Sequence, residues 1–137
     1  MAKIYRRTDR IKVKIDDVVI TLAPMSIDQK IQVQELTIQG QVKRDLRAST
    51  KAIALAMKFS IKAVDGIEDS EGNPYKLQFE GEELSDECVN DLYELNFLPK
   101  MAVVCSTLAG GVPENFETLE GVEILKTVKK EDTDPNV

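Results

Sequence analysis

From Ile11 to Leu22 the apolar residues fall on alternate positions. Ile11, Val13 and Ile15 alternate with Lys12 and Lys14, Asp16-Asp17 interrupts, and Val18, Ile20 and Leu22 resume the pattern. Period two is the mark of a half-buried strand, and two such runs around a two-residue turn read as a hairpin. A lone hairpin is marginal in water, so its apolar face demands a second layer from the rest of the chain.

That layer has the other period. Pro24 ends the second strand and Ser26 is a good helix N-cap. A first helix is expected over 27–39, with Ile27, Ile31, Gln34 and Ile38 along one stripe and Gly40 at its end. A longer second helix is expected over 42–63. Its face carries Leu46, Ile53, Met57, Ile61 and Val64, and Ala48, Ala52, Ala54 and Ala56 allow close packing. Asp65-Gly66 breaks it. Turn formers fill 67–74, and Tyr75, Leu77 and Phe79 then alternate, which predicts a second hairpin with strands near 64–68 and 75–79.

Ser85 caps a third predicted helix over 86–97, with Val89, Leu92, Tyr93 and Phe97 on its inner face. Pro99 separates it from a fourth over 100–109, carrying Met101, Val104, Cys105 and Leu108. The expected core includes Ile53, Met57, Ile61, Leu92, Phe97 and Val104. Gly110-Gly111-Val112-Pro113 stops the last helix. Beyond it, 114–128 reads as a weak amphipathic helix in which Phe116, Leu119, Val122 and Leu125 recur every third residue, and 129–137 as a frayed tail. The expectation is a mainly helical α+β domain over 1–111, with two hairpins and four main helices. A flexible C-terminal arm over 112–137 follows, and the four spaced residues are the candidate partner-binding positions.

At 137 residues with 42% hydrophobic composition the chain suits one domain with a core of its own. Aromatics make up only 5%, so that core rests on Ile, Val, Leu and Met. The net charge of −6 argues against nucleic acid as a partner. The charge is divided. Residues 1–14 set six basic side chains against Asp9, whereas 65–94 set eleven acids against Lys76. Opposed patches of this kind steer association with a partner or with another copy, or are simply solvated faces.

The absence of His removes the usual base near neutral pH and the commonest metal ligand. Cys88 and Cys105 form no CxxC and read as buried, reduced hydrophobes. An EF-hand aligned on Gly72 would place Ile67 first and Gln78 twelfth, where acids are required. Gly110-Gly111 lacks the spacing and the Gly-Lys-Ser/Thr of a phosphate loop. Glu82-Glu83 and Asp86-Glu87 suit the positive end of a helix better than acid–base work. No apolar run approaches the ~20 residues of a membrane span. The expectations are therefore a non-enzymatic protein without cofactor, metal or catalytic residue, in the cytoplasm, binding other proteins.

The order of features resembles the tail assembly chaperones of long-tailed phages. The pieces are Leu22-Ala23-Pro24-Met25-Ser26-Ile27-Asp28 after the hairpin, the Ala-rich helix, Ser60-Ile61-Lys62-Ala63-Val64-Asp65-Gly66-Ile67, the Asp69–Pro74 turn and Leu84-Ser85-Asp86-Glu87. Together they cover roughly residues 11–111. The resemblance implies a scaffold in the host cytoplasm that binds the long helical tape-measure protein and recruits tail-tube subunits, with self-association open. The competing reading is a structural minor virion protein of the tail or the head–tail connector.

Overall fold

The computed structural model describes residues 3–4, 6, 8–107, 111–112 and 122–129, and of these 3–4, 104–107, 111–112 and 122–129 by their backbone alone. In chain order the elements are β1 (Lys3–Ile4), β2 (Asp9–Ile15), β3 (Val18–Leu22), α1 (Ile27–Val42), α2 (Leu46–Ser60), β4 (Ile61–Asp65), β5 (Phe79–Glu80), β6 (Glu83–Leu84), α3 (Asp86–Tyr93), α4 (Leu98–Thr107), β7 (Gly111–Val112) and β8 (Val122–Lys129). The α+β class and the four helices follow the sequence.

The first hairpin forms as its alternation demands. β2 and β3 pair antiparallel with Ile15 opposite Val18, and Asp16 takes a φ of 53° in the turn. Asp enters this left-handed region more readily than most residues. Ile11, Val13, Ile15, Ile20 and Leu22 are all buried, so the alternating side chains become one wall of the core. β4 adds to β3 with Ile20 opposite Val64, and β8 adds to β2 with Ile15 opposite Val122, giving an antiparallel sheet of order β4-β3-β2-β8. β1 pairs with β7, and β5 with β6.

Against the sheet lie Met57 of α2, Val89 and Leu92 of α3, and Leu98 and Met101 of α4. Fully burying side chains of this size contributes about 1.5–3 kcal/mol each. A second, smaller cluster joins Met25, Val33, Ala52, Ala56 and Phe59 between α1 and α2. Of the six expected core residues, Met57, Ile61 and Leu92 are buried, while Ile53 and Phe97 are half-buried against the same core. The side chain of Val104 lies outside the described residues. Cys88 is buried as a free thiol whose sulfur accepts the Gln78 N–H at 3.2 Å; the Cys105 side chain is outside the described residues.

Several sequence expectations are corrected. The second helix ends at Ser60, and 61–65 continues directly as β4, where β-branched Ile61 and Val64 suit a pleated surface. Its partner is β3 rather than 75–79. What remains of the second hairpin is a bridge between Glu68 and Pro74, around a turn whose Asp69 carboxylate accepts the Glu71 and Asn73 N–H groups. Phe79 pairs instead with Leu84 around Gly81-Glu82.

The C-terminal helix is also overturned where it is described. Over Val122–Lys129 the chain is a strand hydrogen-bonded to β2, because Val122, Ile124, Thr127 and Val128 favour an extended backbone beside an open sheet edge. The third helix is shorter than expected, ending at Tyr93, and Pro99 sits in the first turn of α4, where its missing N–H costs nothing.

Candidate protein-binding face

α1 begins at a capping box. The Ser26 Oγ accepts the Gln29 N–H at 3.2 Å, and the Ser26 N–H donates to Gln29 Oε1 at 2.9 Å. With the start fixed, the phase of every later residue is fixed at about 100° per position. Ile27, Ile31, Ile38 and Val42 then fall within about 60° of arc, along roughly 22 Å of helix.

The sequence marked Ile27, Ile31 and Ile38 as one stripe without saying what it meets, and the structure turns that stripe outward. Ile27 is 77% exposed, Ile31 45%, Ile38 57% and Val42 75%, and Leu46 at the start of α2 is 80% exposed beyond the helix end. The covered side of α1 is the opposite one, where Val33 and Gly40 are buried and Leu36 packs with the α1–α2 cluster. The reason is close approach. A Cβ added to Gly40 would meet Ser49 Oγ and would lie 2.9 Å from the Ser49 nitrogen, so only glycine lets α1 lie against α2 at that point. α2 sets Ala48, Ala52 and Ala56 on its buried side, Val33, Leu36 and Gly40 of α1 pack towards it, and the isoleucines are left on the far side.

The rim of the stripe is polar. Asp28 and Glu35 stand beside it on one flank, Gln34 and Gln41 on the other, and all four are exposed. Lys43 and Arg44 follow its C-terminal end. The face is thus apolar along its middle, with an acid at its N-terminal end and two cations at its C-terminal end.

Elsewhere an open cleft of about 1050 Å³ lies between the start of β2 and the β5–β6 hairpin. Arg10 and Lys62 line it together with Glu80, Glu82 and Glu83. Lys62 Nζ donates to the Glu82 carbonyl at 2.7 Å. Burial pulls the Arg10 guanidinium below its ordinary pKa, and Glu82 and Asp9 pull it back up. The basic N-terminal region and the acidic middle of the chain therefore meet here within one molecule, so part of their opposition is answered internally.

No family model, curated protein or solved structure matches the chain. The site is accordingly read from its own residues. Of the four residues the sequence put forward for partner binding, Phe116 and Leu119 lie outside the described residues, and Val122 and Leu125 belong to β8, described by its backbone. Asp86 and Glu87 occupy the first turn of α3, and Asp86 accepts Lys58 Nζ at 3.1 Å, a contact between exposed groups worth under about 1 kcal/mol. Among the described residues no group of three His, Cys, Asp or Glu side chains is placed to hold a metal ion, and no helix is long and apolar enough to cross a membrane. The exposed α1 stripe was visible in the sequence as a period. What the sequence did not show is which of the two sides of α1 the fold covers.

Proposed function

We propose that this chain is a non-enzymatic protein-binding scaffold, an assembly chaperone of phage tail morphogenesis acting in the host cytoplasm on a long helical tape-measure protein and on tail-tube subunits. The observation that supports protein binding is the α1 stripe: Ile27, Ile31, Ile38 and Val42 on one face of the helix, all in solvent. The largest apolar patch of a typical monomer is about 300–600 Å² and is often functional, and a polar-rimmed stripe of this size is a candidate interface. Residues spaced at i, i+4, i+11 and i+15 on one helix suit another helix laid alongside. The order of sequence features over 11–111 supports the narrower assignment.

The reading expects a very long, helical reading frame next to this gene, and co-expression with its product tests it. The two are expected to co-purify, with the long partner soluble only when this chain is present, and purified particles should lack it. Stoichiometric recovery of the chain from washed particles would instead make it a structural subunit of the tail or connector.

A further inference from the structure

The apolar stripe of α1 reads the same in both directions. Its steps are four, seven and four, from Ile27 to Ile31, to Ile38, to Val42. A two-fold axis perpendicular to the helix, passing between Gln34 and Glu35, therefore sets Ile27 against Val42 of a second copy and Ile31 against its Ile38. An interface closed by a two-fold uses the same patch on both subunits, so it requires self-complementarity of this kind.

The charges at the two ends choose the direction. Asp28 stands at the N-terminal end of the stripe, Lys43 and Arg44 at the C-terminal end, and all three are exposed. An antiparallel pair brings Asp28 of each copy toward Lys43 and Arg44 of the other, and opposes the helix dipoles favourably. A parallel pair would set like charge on like charge at both ends. Glu35 beside its own copy, near the axis, is the like-charge approach the antiparallel pair retains. The area suffices. The four stripe side chains, exposed by 45–77%, offer roughly 450 Å² per copy, so a pair that also covers the polar rim buries on the order of 1,000 Å², the low end for a specific interface.

We infer that the α1 face is occupied by a second copy of this chain, forming an antiparallel two-fold dimer centred between Gln34 and Glu35. This rests on the reading of α1 as a protein interface and names its occupant.

The full chain, examined by analytical ultracentrifugation over a dilution series, should sediment as a dimer. The double variant Ile31→Lys/Ile38→Lys should sediment as a monomer with an unchanged circular dichroism spectrum, since both side chains are in solvent within one copy. Direction is read by oxidation. Ile27→Cys/Val42→Cys should form a covalent dimer, whereas Ile27→Cys alone and Val42→Cys alone should stay at the wild-type background. Within one copy the two positions are about 22 Å apart along the helix, too far for an internal disulfide.

A monomer at every concentration overturns the inference, whatever else then covers the face. So does a dimer that survives the double lysine variant. Self-cross-linking by either single cysteine variant would mean parallel packing and overturns it too. A monomer that still co-purifies with the long helical partner removes the dimer and leaves the proposed function standing. A cross-linked dimer that captures no such partner does the reverse.

Discussion

Two side chains show how much a single position decides. Gly→Ala in a helix ordinarily stabilises by about 1 kcal/mol, but at Gly40 the new methyl would run into Ser49, whose backbone nitrogen cannot rotate away. Overpacking costs typically about 1–3 kcal/mol, so Gly40→Ala should lower stability despite the better helix former. Urea denaturation will read it, with an unchanged or raised midpoint as the contrary result. Tyr75 is the second case. Its hydroxyl donates to Asp91 Oδ2 at 2.7 Å, tying the segment after the acidic turn to α3. Burial first, then hydrogen bonding to Cys88 and Asp91, pushes its pKa above the ordinary tyrosine value. A raised folded pKa means that the unfolded chain loses the phenolic proton first. The associated stability is present below about pH 10, the unfolded value, and is lost as pH rises beyond it. Tyr75→Phe should cost about 0.5–1.5 kcal/mol at neutral pH and should flatten the alkaline fall. A variant with the wild-type alkaline slope would show that another group controls that limb.

At the scale of elements, α1 depends on how it starts. Ser26→Ala removes one half of the capping box and should cost about 1 kcal/mol, measured as a drop in denaturation midpoint, while Ser26→Asp should largely restore it. An alanine variant as stable as the wild type would mean the first turn is held by other contacts. The same helix shows where sequence reasoning stops. Its start at Ile27 was legible from Pro24 and Ser26, and its amphipathic period was legible from the isoleucines. The period names the most apolar stripe, but the covered side is chosen by α2, whose alanines and Ser49 admit Gly40 and Val33 rather than four bulky chains. β4 was missed for want of punctuation, because no glycine or proline stands between Phe59 and Val64. β8 carried a signal that went unused: Val122, Ile124, Thr127 and Val128 are β-branched, and the three-residue spacing of Phe116, Leu119, Val122 and Leu125 drew attention away from them. The first hairpin was legible because its alternation is strict on both sides of Asp16-Asp17.

For the whole molecule, the backbone pairing of β8 with β2 spans Asp9 to Ile15 and makes the C-terminal strand part of the sheet. A chain ending at Gly111 would leave β2 as an open edge over those residues. It should melt many degrees lower than the full chain, since each kcal/mol lost lowers the melting temperature by several degrees in a domain of this size. A truncated chain that melts with the wild type would show that residues 112–137 form a separable arm. The α1–α2 hairpin joins this sheet differently, through a covalent connection with no loop. Ser60 closes α2 with its hydroxyl on the Ala56 carbonyl at 2.6 Å, and Ile61, already in β4, still donates its N–H to Met57. Domain motions use loop or terminal residues that are free to absorb a change in φ and ψ, and here the residues at the junction are buried. A load placed on α1 would pass through α2 straight into the edge strand of the sheet, through a crank without a bearing. The joint between α2 and β4 gives the molecule nothing with which to bend.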